Sequence, residues 1–410
     1  MKLYSIPSIT RGRVQQFAVS GVLSIAFALA GPVSGHAAPI YTVIDLGTLG
    51  GTNSYGYGIN ASGQVTGGGN KANGSTHAFL ASGGTMTDLG TLGGTYSQGL
   101  GINTSGQVTG LSNKADGSHR AFIYSSGTMT DLGTLGGTSS SGAAINASGQ
   151  VAGYALTAGN MTNRAFLASV GTLTGLGTLG GTLADLGTLG GTSSYGAAIN
   201  ASGQVTGYAL TAGNISNHAF LTSSGTMTDL GTLGGTSSRS LGINDSGQVT
   251  GVSNKADGSN HAFLYSSGTM TDLGTLGGTS SKGLGINASG QITGFAYTTG
   301  DASTHAFLET GGTMLDLNTL LSHTDPLTGL ITLTDATGIN DSGQIVANGC
   351  YNDGSKCHAF LLTTASPNVS TDVPEPASLT LLATGLASSA ALGRRRRQPV
   401  AETGEVTQES

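Results

Sequence analysis

Asp-Leu-Gly-Thr-Leu-Gly-Gly at residues 272–278 begins a unit that continues with Gly-Ile-Asn-Ala-Ser-Gly-Gln at 285–291 and His-Ala-Phe at 305–307. The Asp-Leu start of this unit occurs seven times, at spacings of 43, 43, 54, 44, 43 and 44 residues: Asp45, Asp88, Asp131, Asp185, Asp229, Asp272 and Asp316. So regular a period indicates one supersecondary module repeated along the chain, and it predicts a single repeat domain over residues 41–364.

The composition is unusual for a globular protein. Gly accounts for 71 of the 410 residues and charged residues for only 9%, against usual levels of about 7% and about 25%. Such a chain is typical of short strands joined by tight turns. The net charge of −6 and the lack of a basic patch within the repeats predict that nucleic acid is not a partner.

One copy of the unit contains the pattern of four short strands. In the copy from Ser280 to Leu320, a hairpin, a polar loop and two further strands are predicted at residues 284–287, 291–296, 298–303, 305–308 and 313–317. Four strands in about 43 residues is the plan of a β-propeller blade. A β-solenoid is the main alternative, although its coils are usually shorter and lack hairpin returns.

The repeated part of the chain does not begin and end at the boundaries of a blade. It begins with a fourth strand, at residues 41–46, and the repeats end after a third strand at residues 358–362. Pairing of these two segments would fasten a ring and remove an exposed edge. The sequence therefore predicts an all-β, seven-bladed propeller that is closed by its N-terminal strand.

The repeated polar residues do not form a catalytic pattern. Seven equivalent Asp residues do not supply the unlike environments that acid–base chemistry needs. The His of His-Ala-Phe is replaced by Arg120 and Arg164 in two copies, so it is interpreted as part of the scaffold. A nucleophile elbow, a phosphate loop and a helical pair of metal-binding histidines are also missing from the sequence. No enzyme activity, cofactor or metal is predicted.

The variable loops between the second and third strands are the predicted contact regions, at residues 70–76, 113–119, 254–260 and 351–357. Their Asn, Asp, Lys and Gly residues suit sugar hydroxyls, but the chain has no Trp for sugars to stack on. The sequence favours a non-catalytic structural or binding protein that associates with extracellular polysaccharide, a biofilm matrix or other surface proteins. The alternative is a divergent propeller hydrolase or lyase that acts on extracellular glycans.

The N-terminus has the three parts of a signal peptide. Lys2, Arg11 and Arg13 precede an apolar stretch, residues 17–30, and small residues before Ala38 suit cleavage by signal peptidase. We therefore expect residues 1–37 to be removed on export.

Export bears on the two cysteines. Cys350 and Cys357 are the only cysteines of the chain. In an oxidising compartment they are expected to form a disulfide.

The C-terminus has the features of a second targeting segment. A linker, residues 365–376, ends in Val373-Pro374-Glu375-Pro376, an uncharged segment follows at 377–393, and a tail, residues 394–410, begins with Arg394-Arg395-Arg396-Arg397. The segment is long enough for a short transmembrane helix with its arginines on the cytoplasmic side. A plain single-pass anchor would have the same appearance.

This three-part order resembles the PEP-CTERM sorting signal. The resemblance implies an exosortase-type enzyme as partner, a transient inner-membrane intermediate and delivery to the cell surface or extracellular matrix. The additional residues 398–410 depart from the usual signal.

The repeat unit itself resembles the HAF family of bacterial extracellular repeats. The family is named for His-Ala-Phe, which occurs here at residues 77–79, 218–220, 261–263, 305–307 and 358–360. The resemblance covers residues 41–362 and implies no catalytic residues.

Overall fold

The fold consists of short strands joined by turns. The computed structural model describes residues 38–169, 183–223 and 225–365. The predicted signal peptide, the sorting segment and the basic tail lie outside the described residues. Within them the strands form four-stranded antiparallel groups, here called units. The all-β class predicted from the sequence is confirmed.

Each unit has four strands, of which the first is the longest. In unit 7 the fourth strand comes from the N-terminal end of the chain. Unit 1 comprises β2 Gly50–Ile59, β3 Val65–Lys71, β4 Thr76–Ser82 and β5 Thr85–Asp88. Unit 2 comprises β6 Gly93–Ile102, β7 Val108–Lys114, β8 His119–Ser125 and β9 Thr128–Asp131. Unit 3 comprises β10 Gly136–Ile145, β11 Gln150–Thr157, β12 Asn163–Ser169 and β13 Leu183–Asp185.

The same order continues in the second half of the chain. Unit 4 comprises β14 Gly190–Ile199, β15 Val205–Thr211, β16 Asn217–Ser223 and β17 Thr226–Asp229. Unit 5 comprises β18 Gly234–Ile243, β19 Val249–Lys255, β20 Asn260–Ser266 and β21 Thr269–Asp272. Unit 6 comprises β22 Gly277–Ile286, β23 Ile292–Thr298, β24 Thr304–Thr310 and β25 Thr313–Asp316. Unit 7 comprises β26 Ile331–Ile339, β27 Ile345–Tyr351, β28 Cys357–Thr364 and β1 Tyr41–Asp45.

Short 3₁₀ turns occur in some of the connections. They span Ala158–Asn160, Ala212–Asn214, Thr299–Asp301 and Leu317–Leu320. Single parallel bridges join unit 1 to unit 2, at Thr76 and Tyr96, and unit 5 to unit 6, at Asn260 and Ser280.

The first strand of each unit is longer than the sequence predicted. In unit 6 it begins at Gly277 rather than at Leu284. The stretch Gly-Gly-Thr-Ser-Ser carries no apolar alternation, so periodicity does not reveal a strand there. Its backbone nevertheless pairs with β23, where Gly277 lies opposite Thr298 and Ser281 opposite Ala296.

A buried Phe lies opposite a Gly in units 1 to 6, and opposite Ala347 in unit 7. Phe307 is fully buried, and a Cβ atom at Gly294 would lie 2.9 Å from its ring and would overlap the carbonyl oxygen of Lys282. Only glycine allows the backbone and the aromatic ring to approach so closely. The corresponding Phe of every unit is fully buried: Phe79, Phe122, Phe166, Phe220, Phe263, Phe307 and Phe360.

Buried serines connect neighbouring units. The hydroxyl of Ser97, in unit 2, accepts a hydrogen bond from the Ala78 N–H of unit 1 and donates to the Gly90 carbonyl. Equivalent bridges are made by Ser54, Ser140, Ser194, Ser238 and Ser281. Because Ser54 accepts from Ala359, the same contact links unit 1 to unit 7.

The asparagine after each first strand makes a second connection. The side-chain Nδ2 of Asn60 donates to the Asn103 carbonyl, and Asn103 donates in the same way to Asn146. The series continues through Asn146 to Asn200, Asn200 to Asn244, Asn244 to Asn287 and Asn287 to Asn340. Asn340 then donates to the Asn60 carbonyl at 3.0 Å, so the series returns to its start.

The N-terminal strand lies beside the last strand of the repeats. β1 pairs with β28 in antiparallel register, with Tyr41 opposite Thr364 and Asp45 opposite Phe360. The backbone N–H of Val43 also donates to the Asp325 carboxylate at 2.7 Å. Asp325 belongs to the long connection of unit 7, so this connection holds the N-terminal strand in place.

Asn103→Ala tests the contribution of the asparagine series. The side chain is buried and makes four hydrogen bonds, two through Nδ2 and two through Oδ1. Truncation leaves their partners unsatisfied, so we expect a loss of about 2–4 kcal/mol in the free energy of unfolding. Denaturant unfolding measures it. Thr104→Ala, at the exposed neighbouring position, should change stability by less than about 0.5 kcal/mol, and equal effects of the two variants would refute the expectation.

Candidate functional site

The repeated Asp and His lie in contact with each other. Nδ1 of His77 is 2.8 Å from the Asp88 carboxylate, which also accepts the N–H of Gly90. The same His–Asp contact, at 2.6–2.7 Å, is made by His218 with Asp229, His261 with Asp272, His305 with Asp316 and His358 with Asp45. Where Arg replaces His, Arg120 and Arg164 lie 3.7 and 3.9 Å from Asp131 and Asp185. These contacts tie the third strand to the fourth and support the interpretation of both residues as scaffold.

One of these pairs joins the two ends of the repeat domain. Asp45 on β1 contacts His358 on β28, and it also accepts hydrogen bonds from the Tyr351 hydroxyl and the Gly47 N–H. Burial raises the pKa of Asp45, but the hydrogen bonds from His358, Tyr351 and Gly47 outweigh it and bring the pKa to about 2. The ionised carboxylate therefore stabilises the contact between β1 and β28.

The disulfide lies next to this contact. Cys350 and Cys357 are bonded, and they face each other across β27 and β28 with their Cα atoms 4.0 Å apart. Between them, the Lys356 ammonium lies 4.4 Å from the centre of the Tyr351 ring. The bond therefore closes the loop that presents Tyr351 to Asp45.

Acid unfolding tests the role of Asp45. A depressed pKa gives stability that is present above the unfolded-state value and is lost as the pH falls through the folded-state value. We expect a loss of about 2 kcal/mol in the free energy of unfolding between pH 4 and pH 2, and Asp45→Asn should abolish this part of the pH dependence. Thr363→Val removes a hydroxyl contact between the same strands but no ionisable group, so it should retain the acid loss. An unchanged pH profile in Asp45→Asn would contradict the assignment.

Most members of the asparagine series line a cavity at the turn end of the units, together with isoleucine side chains. The cavity has a volume of about 290 Å³ and includes Asn60, Asn103, Asn146 and Asn200. Asp245 and Asp341 also line it and accept the N–H groups of Ala201 and Ala288. Its polar side chains are therefore engaged with the protein itself.

The loops predicted from the sequence also satisfy most of their own polar groups. The Asp116 carboxylate accepts the N–H and the hydroxyl of Ser118, and Asp257 does the same with Ser259. Asn73 and Asp353 make similar turns. Of these four loops, 254–260 contributes two side chains, Asn254 and Asn260, to the cavity described below.

One position of the first strand varies among the units. It lies four residues before the Ile that ends the strand. It is occupied by Tyr55, Gln98, Ser141, Tyr195, Arg239, Lys282 and Asp335. The residues opposite in the second strand vary as well: Gly68, Leu111, Tyr154, Tyr208, Val252, Phe295 and Asn348. Since the surrounding framework is constant, these positions are where the units can differ in binding.

In units 3 to 5 these variable residues pack together. The Tyr195 ring lies 4.8 Å from Tyr208 in a stacked arrangement and 5.1 Å from Tyr154 edge-on. The guanidinium of Arg239 lies 4.9 Å from the centre of the Tyr208 ring, within the range of a cation–π contact. Asn163 donates to the Tyr195 hydroxyl at 3.0 Å. The three tyrosines are half-buried and Arg239 is exposed.

A cavity of about 360 Å³ extends this surface between units 5 and 6. It is lined by Arg239, Lys282, Val252 and Phe295, together with serine and asparagine side chains. Burial lowers the pKa of Lys282, and the positive charge of Arg239 lowers it further. We call Tyr154, Tyr195, Tyr208, Arg239, Lys282 and Phe295 the tyrosine–cation arc.

The two cations of the arc differ from most others in the repeats. In the described ranges, no carboxylate oxygen lies within 4.0 Å of Arg239 or Lys282, whereas Lys71, Lys114 and Lys255 each contact an Asp. Asp301, in unit 6, binds the N–H and the hydroxyl of Thr279 instead. Two neighbouring positive charges are therefore left without a carboxylate partner beside an aromatic surface.

The sequence pattern did not reveal this arc, because Tyr195, Tyr208 and Tyr154 lie within strands and not in the variable loops. The detectable signal was a position of the unit at which six different residue types occur in seven copies.

The residues of the predicted sorting signal, 373–376 and 394–397, lie outside the described residues. In the part of the chain that is described, no helix is long and apolar enough to cross a membrane.

Comparison with protein families supports the sorting signal. Residues 372–397 match the PEP-CTERM protein-sorting motif, which marks an exported protein with a membrane-anchored intermediate. Comparison with curated proteins gives no match.

Comparison with solved structures gives similar chains, two of which are described as β-propellers. The β-propeller domain of the trilobed protease from Pyrococcus furiosus is 8% identical, with 77% of this chain and 99% of that chain covered and a TM-score of 0.47. YCF48 bound to D1 peptide is 11% identical, with coverages of 81% and 98% and a TM-score of 0.47. The six-bladed fucose-binding lectin of Aleuria aurantia is 12% identical, with coverages of 78% and 91% and a TM-score of 0.34.

The electrostatic coupling between Arg239 and Lys282 can be measured directly. Arg239→Gln removes a positive charge that lowers the Lys282 pKa, so the pKa of Lys282 should rise towards its ordinary value. NMR titration of the lysine side-chain carbons would follow it. Arg120→His, in unit 2, serves as a control that should leave this pKa unchanged. A Lys282 pKa that stays constant or falls in Arg239→Gln would contradict the proximity of the two charges.

Proposed function

We propose that the seven units are the blades of one closed β-propeller. The asparagine series that returns from Asn340 to Asn60 supports a ring, as does the pairing of β1 with β28. Asn348, in unit 7, also exchanges two hydrogen bonds with the backbone of Gly56 in unit 1. Hairpin returns within every unit favour a propeller over a β-solenoid. The repeats are proposed to be members of the HAF type.

We propose that this propeller is an exported, surface-sorted, non-catalytic binding protein. Its partner is extracellular polysaccharide, as in a biofilm matrix. The sorting-motif match at residues 372–397 supports the location. An exosortase-type enzyme and signal peptidase would process the chain during an inner-membrane intermediate.

The tyrosine–cation arc carries the binding part of the proposal. The half-buried cluster of aromatic rings presents apolar edges beside polar hydroxyl tips, which suits a pyranose ring with its hydroxyl rim. Asn163 holds the Tyr195 hydroxyl, so the ring is oriented before a ligand arrives. Pre-orientation lowers the entropic cost of binding.

A non-catalytic role fits the distribution of carboxylates. The repeated Asp residues are paired with His or Arg and accept backbone N–H groups. Such equivalent, engaged carboxylates lack the contrast in environment that distinguishes an acid from a base.

Surface sorting is tested by Glu375→Ala in a host that has the sorting enzyme. We expect the variant to accumulate in the inner-membrane fraction, because recognition of Pro-Glu-Pro would be lost, while the unaltered protein reaches the surface. Glu405→Ala, in the tail outside the matched motif, is the control and should sort normally. Identical distributions of Glu375→Ala and the unaltered protein would count against the signal.

Binding is tested by incubating the purified exported protein with the host's own polysaccharide. Co-sedimentation without release of reducing ends is the expected result. Release of reducing ends would favour a glycan hydrolase, or a lyase if unsaturated sugars appear. Failure to co-sediment would contradict the proposed association with polysaccharide.

A further inference from the structure

The charge and shape of the tyrosine–cation arc narrow the class of polysaccharide. Arg239 and Lys282 stand on adjacent units and border one cavity of about 360 Å³. The protein has a net charge of −6, so this local pair of cations is opposite in sign to the net charge of the chain. A ligand that carries negative charge would be attracted to this surface rather than to the rest of the molecule.

Leaving two such cations together has an energetic cost. Burial and the charge of Arg239 both disfavour the charged form of Lys282. An anionic group between the two side chains would relieve their repulsion and accept charge-assisted hydrogen bonds. The planar guanidinium of Arg239 can bind a carboxylate through two parallel N–H groups.

The aromatic part of the arc adds a second requirement. Tyr208 lies next to Arg239, so a ring that contacts the tyrosine would hold its substituents near the guanidinium. A uronic acid has both features, an apolar pyranose face and a carboxylate on the same ring. The arc continues over units 3 to 6, which suits several consecutive sugars better than one small anion.

We propose that the tyrosine–cation arc binds acidic polysaccharide, with uronate carboxylates at Arg239 and Lys282 and sugar rings packed against the edges of the cluster formed by Tyr154, Tyr195 and Tyr208. This inference rests on the proposed function, since it specifies the polysaccharide bound by the same surface. Nucleic acid is disfavoured because affinity for it comes from many phosphate contacts, and this surface presents two cations.

Binding of polygalacturonate to the exported protein tests the proposal, with fully methyl-esterified polygalacturonate as the neutral counterpart. The two polymers share a backbone and differ in charge. We expect the acidic polymer to bind at least about tenfold more tightly, as two charge-assisted hydrogen-bonding sites would provide. Equal affinities would overturn the acidic preference and leave polysaccharide binding intact, whereas failure of both polymers and of the host's polysaccharide would overturn the proposed function as well.

The chain itself suggests mild substitutions for locating the site. Arg239→Gln and Lys282→Gln each introduce the residue that unit 2 has at the same position, Gln98. This double variant should lower the affinity for polygalacturonate by about tenfold or more. Tyr195→Ser, which copies Ser141 of unit 3, should weaken binding of both polymers because part of the aromatic cluster is lost.

Arg120→His combined with Arg164→His is the matched control. Both substitutions introduce the residue that five other units have at that position. At pH 8, where His is mostly neutral, this control removes the same two positive charges as the double Gln variant. It should retain the affinity for polygalacturonate, and equal losses in both double variants would show a general charge effect and overturn the site.

A single-stranded oligonucleotide is then tested as a competitor for the binding of polygalacturonate. The proposal predicts that it does not displace polygalacturonate at equal charge concentration. Displacement that is abolished by Arg239→Gln and Lys282→Gln would instead assign the arc to nucleic acid and overturn the proposal.

Discussion

The hydrogen bond from each turn asparagine to the next asparagine carbonyl is the contact on which the arrangement of units depends. Asn103 is buried, and its Oδ1 holds its own turn while its Nδ2 reaches Asn146 in the next unit. The same side chain therefore shapes one hairpin and positions the next. A loss at one unit leaves buried polar groups unpaired in two, which explains why the repeat uses Asn at every copy.

The shifted chain ends complete this arrangement. Unit 7 takes β1 as its outer strand, and Asp45 provides for it the His–Asp contact that units 1, 4, 5 and 6 make internally. The long connection of unit 7, the Asp325 carboxylate and the disulfide all lie at this place. Unit 7, whose first strand lacks the Gly-Gly-Thr start of the others, is therefore the one in which distant parts of the chain must be held together.

The sequence was sufficient for the strand class and for the pairing of the N-terminal strand, because both follow from the repeat period and from the order of its elements. It was wrong about the start of the first strand, since Gly277 to Ser281 have no apolar alternation and are assigned to the strand through pairing with β23 and β20. It also missed the arc. Tyr195 and Arg239 are far apart in sequence, and only the register between units brings them to the same ring, Tyr208.

The central claim is that the repeats form one closed ring, and an engineered cross-link tests it most directly. The hydroxyls of Thr42 and Thr363 lie 2.9 Å apart on β1 and β28, so cysteines at these two positions would be within reach of a disulfide. In the full chain carrying Thr42→Cys and Thr363→Cys, mild oxidation should link the two ends within one molecule in nearly all copies, independently of protein concentration. Linkage only between molecules, or no linkage in the folded protein, would contradict a closed ring.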